Sequence, residues 1–170
     1  AHSLQRRLRG GIAVDAMFNV FVGDQTSIWK ITPQGQWTIF AGSLHCGCND
    51  GAGVSASFYL PLSLAIDAAG NILVADAGNH CIRKVTAEGH VTTLAGKARG
   101  QQDGVGASAT ISSPTDVAID RWGNLVVCDS RNSCIRRMSA DADVAAAVPV
   151  DRAAPAKQKW QTYPVLPHLQ

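Results

Sequence analysis

Three stretches of this chain share one pattern at an interval of about 53 residues, and that repeat constrains the fold more than any other feature. "GIAVDAMFNVFVGDQTSIWKI" begins at Gly11, "LAIDAAGNILVADAGNHCIRKV" at Leu64 and "VAIDRWGNLVVCDSRNSCIRRM" at Val117. Asp15, Asp67 and Asp120 align, as do Asn19, Asn71 and Asn124, and Asp24, Asp76 and Asp129. Lys30, Lys84 and Arg137 align further on. The connectors repeat as well: "AGSLHCGCNDGAGVSASFYLP" matches "AGKARGQQDGVGASATISSP", with Asp50-Gly51 and Asp103-Gly104 in register and Pro61 matching Pro114. A short unit of this kind buries its apolar faces only by stacking on its neighbours.

Each unit reads as four short strands. In the second they fall near 63–67, 71–76, 81–86 and 90–95. The runs "VFV" at 20–22, "ILV" at 72–74 and "LVV" at 125–127 are continuously apolar, the mark of strands buried on both faces. "HVTTLAG" at 90–96 mixes β-branched and polar residues, as an outer strand does. Four-stranded sheets in series with both faces covered describe the blades of a β-propeller. The sequence therefore predicts an all-β, partial β-propeller of about three four-stranded blades at about 11–42, 62–96 and 115–150. A basic tail at 1–10 precedes this arc of 11–150, and an extended tail at 151–170 follows it.

The stretch "NILVADAGNHCIRKV" at 71–85 crowds Asp76, Asn79, His80 and Cys81 together, which suits either a reactive cluster or a tight turn. Repetition favours the turn: Asp76 recurs as Asp24 and Asp129, Asn79 as Asn132, and Cys81 as Cys134. A catalytic group is needed once, whereas a turn residue is needed in every blade. Asp15, Asp67 and Asp120, with Asn71 and Asn124, read as turn-capping residues of the same kind. His80 alone is unique at its position, with Ser133 in the third unit.

The quoted motifs resemble the NHL repeat family. "LPLSLAIDAAGNILVADAGNHCIRKVTAEGHVTTLAG" resembles the family pattern of P-x-G-[VI]-A-[VI]-D, G-N-[IL]-x-V-A-D, N-H-x-I-R-K-[IV] and V-x-T-L-A-G, and "DGAGVSASFYLP" resembles its connector. The third unit follows the pattern to residue 138 and leaves it at "SADADVAAAVPV"; the first has Phe18 where the pattern has Gly. The resemblance implies a β-propeller, usually of six blades, that serves as an interaction platform. Some members bind RNA on a basic face, some bind protein, and a few related propellers are lyases or lactonases. About three blades cannot close a ring, so other protein subunits or self-association are expected to cover the open faces.

Composition narrows the function classes. Hydrophobic residues make up 46% of 170, which supports a packed core rather than disorder. Net charge is +2, distributed as +3 over residues 1–10, +2 over 151–170 and −3 between them. That slightly acidic body, with 6% aromatics, argues against RNA as the first reading. No apolar run is long enough for a membrane-spanning helix. Five cysteines in odd number, without C-x-x-C, fit free thiols in a reducing compartment. An intracellular location is favoured, with an organelle open because the start is Arg-rich and acid-free.

"HCGC" at 45–48 is the best isolated metal candidate, but C-x-C is poor spacing for structural zinc and the matching connector "KARG" repeats no ligand. No catalytic residue, metal or cofactor is expected. The reading is a non-catalytic protein-interaction module, an accessory subunit or fragment held in a larger assembly. An RNA-binding platform and a fragment of a propeller lyase or lactonase are the alternatives. In the C-terminal segment, Pro155, Pro164 and Pro167 exclude a regular helix or central strand, yet Trp160, Tyr163, Val165 and Leu166 are more apolar than a solvated tail requires. These four residues are expected to dock on another surface.

Overall fold

The computed structural model describes residues 8–104, 106–139 and 160–164. Its first sheet contains β1 (Ile12–Val14), β2 (Val20–Gly23), β3 (Ser27–Ile31) and β4 (Trp37–Gly42), paired antiparallel in that order. The short β5 (Gly51–Ala52) lies in the connector that follows. The second sheet contains β6 (Pro61–Ile66), β7 (Ile72–Asp76), β8 (Cys81–Val85) and β9 (His90–Ala95), with β5 added along the edge of β9. The third contains β10 (Pro114–Ile119), β11 (Leu125–Asp129), β12 (Cys134–Met138) and β13 (Trp160–Pro164). Three meandering sheets in series form a partial β-propeller.

The repeat extends to irregularities. The β6–β7 pairing slips between Pro61 and Ser63, and β10–β11 slips between Pro114 and Asp116. A bulge at Ile82/Arg83 in β8 matches one at Ile28/Trp29 in β3. Such bulges bend strands at fixed places and keep successive blades alike.

Asp15, Asp67 and Asp120 build three copies of one hairpin turn. The Asp67 Oδ1 accepts the Ala69 and Asn71 N–H groups at 2.9 and 2.8 Å, while Oδ2 accepts the Asn71 Nδ2 at 2.8 Å. Asp120 does the same for Trp122 and Asn124, and Asp15 for Met17 and Asn19. The turn needs a left-handed residue before the Asn: Gly70 (φ 82°) and Gly123 (φ 80°) supply it. In the first blade Phe18 adopts φ 62° in their place.

The core lies between blades. Phe21, Ile28, Phe58, Ile72 and Val74 pack between the first and second sheets. Leu73, Ile82, Ile111, Val117 and Val127 pack between the second and third. All five residues of β7 are buried, alternating between the two interfaces. On the outer blades the second face is only partly closed: in the first blade Val22 and Trp29 are buried there, while strand β1 beside them is open. Ile12 and Val14 are 65% and 54% exposed in β1, and Val126 and Cys128 in β11 are only half-buried.

One boundary differs from the sequence expectation. Residues 160–164 pair with β12 as the fourth strand of the third sheet, so part of the expected tail belongs to the blade. β13 pairs only with β12 and ends at Pro164, opposite Cys134. A proline is compatible with such an outer position because no neighbour needs its missing N–H. Val165 and Leu166 lie outside the described residues.

Candidate functional site

The most chemically dense region sits where the connector of residues 47–58 meets the β7–β8 hairpin. Arg83 is fully buried on β8. Its Nη1 donates to the Asp76 Oδ2 at 3.1 Å and the Ser57 carbonyl at 3.1 Å. Its Nη2 donates to the Asn49 carbonyl at 2.9 Å and the Asp50 Oδ1 at 2.8 Å. The guanidinium also stacks 5.2 Å from the Phe58 ring centroid. A planar group with several donors can hold two carboxylates and two carbonyls at once, which lysine cannot.

Asp76 completes the arrangement. Its Oδ1 accepts the Tyr59 N–H at 2.9 Å, and its Oδ2 also accepts the Asn79 Nδ2 at 2.8 Å. Asn79 in turn donates to the Gly47 carbonyl at 2.7 Å. Burial pushes the Asp76 carboxyl up to about 6, against the pull of Asn79, the Tyr59 N–H and Arg83. Asp76, Asn79 and Arg83 thus staple the connector to the blade.

The third blade repeats the staple. Arg136, also fully buried, binds Asp129 (3.3 Å), Asp103 (2.6 Å), the Gln102 carbonyl (3.0 Å) and the Thr110 carbonyl (2.5 Å). Asn132 bridges Asp129 and the Gly100 carbonyl. Asp76 and Asp129 were expected to cap local turns. Instead each accepts a backbone N–H from 17 residues upstream, at Tyr59 and at Ser112, because the aligned arginine draws the connector against the sheet. Asp24 alone behaves locally, accepting Thr26 and Ser27 N–H groups and the Trp29 Nε1 at 2.8 Å.

Two thiols meet at the second staple. Cys48, exposed in the connector, and Cys81, fully buried at the start of β8, bring their sulfurs to 3.9 Å. Arg83 Nη1 donates to the Cys48 Sγ at 3.7 Å. The Cys81 S–H and Arg83 lower the Cys48 thiol to about 7 despite partial burial. Hydrogen bonding to Cys48 and burial push Cys81 far upward. An open cleft of about 590 Å³ beside this pair is lined by Cys48, Asn49, Asp50, Ser55, Thr93 and Lys97.

Among the described residues, Cys48, Asp76 and Cys81 are the one group of three potential metal ligands within 4.8 Å of one another. Their donor set does not fit a metal ion. Arg83 already supplies the cation, contacting two of the three ligand atoms, and both Asp76 oxygens already accept hydrogen bonds. The "HCGC" stretch, weighed and set aside as a metal candidate in the sequence, does not form such a group among the described residues: Cys48 turns to Cys81, while the His45 N–H and carbonyl are held by the Ser43 hydroxyl.

The sequence analysis aligned Lys84 with Arg137 but gave no role to the neighbouring Arg83 and Arg136, which are buried ion-pair centres. The signal was present in the joint recurrence of Asp50/Asp103, Asp76/Asp129 and Arg83/Arg136 at one interval of 53. The Cys48–Cys81 contact carried no such signal, since Gln101 stands where a second Cys48 would be.

Three antiparallel sheets of four, five and four strands, the second and third stapled to the connectors before them, define a partial β-propeller. Two of its three repeats match the NHL repeat model, over residues 58–85 and 112–138. The chain is 38% identical over 92 residues to protein SUPPRESSOR OF QUENCHING 1, chloroplastic, of Arabidopsis thaliana, covering 53% of this chain and 9% of that protein. Among solved structures it resembles an auxiliary nutrient binding protein of Bacteroides ovatus (TM-score 0.67, 23% identity, 74% of this chain and 36% of that one). It also resembles a streptogramin B lyase (TM-score 0.57, 13% identity, 91% of this chain and 39% of that one). The two structural likenesses show the fold alone. The chain spans about a tenth of the curated relative and under half of either structure. No helix among the described residues is long and apolar enough to cross a membrane.

Proposed function

We propose that this chain is a non-catalytic interaction arc, an accessory module whose open blade faces are covered by further propeller blades from another subunit or a second copy. The observation that carries this reading is the contrast in burial. Every residue of β7 is enclosed, while Ile12 and Val14 on the far face of the first blade stand 65% and 54% exposed. Apolar β-residues of this kind are ordinarily enclosed by the next blade. RNA binding is disfavoured because the recurrent arginines Arg83 and Arg136 are consumed in buried ion pairs. Lyase or lactonase activity has the fold in its favour, but in the densest polar cluster both Arg83 Nη groups and both Asp76 oxygens are engaged by internal bonds.

The reading includes the C-terminal segment. Trp160, Tyr163, Val165 and Leu166 serve as docking anchors, with residues 160–164 held in place by pairing with β12. The test is crosslinking followed by mass spectrometry of native assemblies, with sedimentation of the purified chain. Crosslinks from the first or third blade to another propeller, or a dimer weakened by Ile12→Asp, support the proposal. A well-folded monomer without such crosslinks overturns it. Deleting residues 156–170 should reduce both thermal stability and recovery of the partner, and retention of both would remove the tail from the reading.

A further inference from the structure

We propose that Cys48 and Cys81 form a reversible dithiol–disulfide switch that covalently locks the connector of residues 47–58 to the second blade. The geometry supplies each part of such a site. The two sulfurs are already in contact at 3.9 Å, so bonding at about 2.05 Å requires them to close by just under 2 Å. Cys48 is exposed and borders the cleft of about 590 Å³, so a small oxidant can reach it. Cys81 is fully buried directly behind it, so it meets only what Cys48 has already bound. Arg83 Nη1 lies 3.7 Å from the Cys48 sulfur, where a cation favours the thiolate. Its own anchoring to Asn49, Asp50, Ser57 and Asp76 fixes it there without help from Cys48.

Comparison with the third blade shows that the staple itself does not need this pair. Cys134 occupies the place of Cys81 beside Asp129 and Arg136, but Gln101 replaces Cys48. The connector is held in both blades, so the second thiol adds chemistry rather than architecture. A lowered Cys48 thiol beside a strongly raised Cys81 thiol is the division expected of an attacking and a resolving group.

The oxidant is a low-molecular-weight disulfide. The Cys48 thiolate attacks one of its sulfurs, the oxidant S–S bond breaks, and one small thiolate leaves. Cys81 then attacks the Cys48 sulfur of the mixed disulfide, a second small thiolate leaves, and the Cys81 proton passes to it. Two cysteine thiols are oxidised to one disulfide, and one small disulfide is reduced to two thiols. Excess small thiol reverses both steps, with two thiols consumed and the small disulfide returned.

The full chain is equilibrated in buffers of oxidised and reduced glutathione, quenched by alkylation, and mapped by mass spectrometry. The expected result is a Cys48–Cys81 linked peptide in oxidising buffer that disappears in reducing buffer, with Cys46, Cys128 and Cys134 alkylated in both. Under reducing conditions at pH 7, Cys48 should alkylate about tenfold faster than Cys46. The variant Cys81→Ser, where it folds, should accumulate Cys48 as the glutathione mixed disulfide; where it does not, the wild-type peptide map decides. In Cys48→Ser, whose substitution is on the surface, Cys81 should stay unmodified in native protein at every glutathione ratio. A Cys46–Cys48 link, a mixed disulfide on Cys48 that never resolves in wild type, or no linked peptide overturns the proposal.

Discussion

The first and second blades place an aspartate at the same point of the repeat and use it differently. Asp24 holds its own turn: its partners Thr26, Ser27 and Trp29 lie close by in sequence. Asp76 reaches back to the Tyr59 N–H and pairs with Arg83, which grips Asn49 and Asp50 in the preceding connector. The change follows from one position. Trp29 in the first blade offers a single neutral donor, whereas Arg83 offers several and a charge. A recurring residue therefore keeps its place in the backbone while its energetic role is set by its partner on the neighbouring strand.

This comparison predicts unequal costs. Arg83→Met leaves Asp76 buried with its charge uncompensated and releases the connector, so it should destabilise the chain by about 3–5 kcal/mol. Trp29→Phe removes one hydrogen bond and leaves a small void where the buried indole extended, and should cost about 1–2 kcal/mol. Denaturant unfolding of the two variants under one condition measures both. Equal losses would break the distinction between a charged staple and a neutral turn. Arg136→Met should match Arg83→Met, because its partners are equivalent.

The Asp15, Asp67 and Asp120 turns were legible because everything they need lies within one short stretch of sequence. The buried strands were legible because "ILV" and "LVV" leave no polar face to expose. The staple was not, because it joins Asp50, Ser57, Asp76 and Arg83, and no local pattern links a third-strand arginine to a loop that precedes the whole sheet meander. Its parts recurred at the interval of the repeat, but recurrence identifies what is shared and not which side chains touch. The Cys48–Cys81 contact was less accessible still, being long-range and confined to one blade. The fourth strand of the third blade was missed for a different reason. The first two blades join their last two strands by short turns, whereas the whole segment 139–159 separates β12 from β13.

The first and second blades also differ at the hairpin, where Phe18 and Gly70 hold equivalent left-handed conformations (φ 62° and 82°). A residue with a Cβ pays about 1–2 kcal/mol there, which glycine does not. Phe18 is 76% exposed, so its side chain contributes little burial. Phe18→Gly should therefore raise stability by about 1 kcal/mol, less than the full strain because glycine also loosens the unfolded chain. A gain in unfolding midpoint checks this. A loss would mean that Phe18 packs against a surface supplied by a partner or another copy, and its exposed ring would then join the open face of the arc.

The smallest expected effect distinguishes the second and third blades, at His80 and its counterpart Ser133, both left-handed (φ 57° and 50°). The His80 Nδ1 accepts the Ser113 N–H at 3.0 Å, joining the second blade to the start of the third. That bond requires an unprotonated Nδ1. Burial, then Arg99 and Arg131, lower the His80 pKa, with Asp129 pulling weakly the other way. The folded state thus binds a proton less readily than the unfolded chain, so the His80 contribution is present at neutral pH. It is lost as pH falls through the unfolded value near 6.5 towards the lower folded one. Asp76 acts oppositely: raised to about 6, it favours the folded state increasingly as pH falls from 6 towards 4. Total stability between pH 7 and 5 therefore mixes both groups, and the informative quantity is the difference between wild type and His80→Gln, in which Asp76 is common. Wild type should lose more stability than the variant on acidification from pH 7 to 5.5, measured by parallel unfolding curves. Parallel pH profiles would show that the junction tolerates a charged imidazole and that Ser113 is held by other contacts.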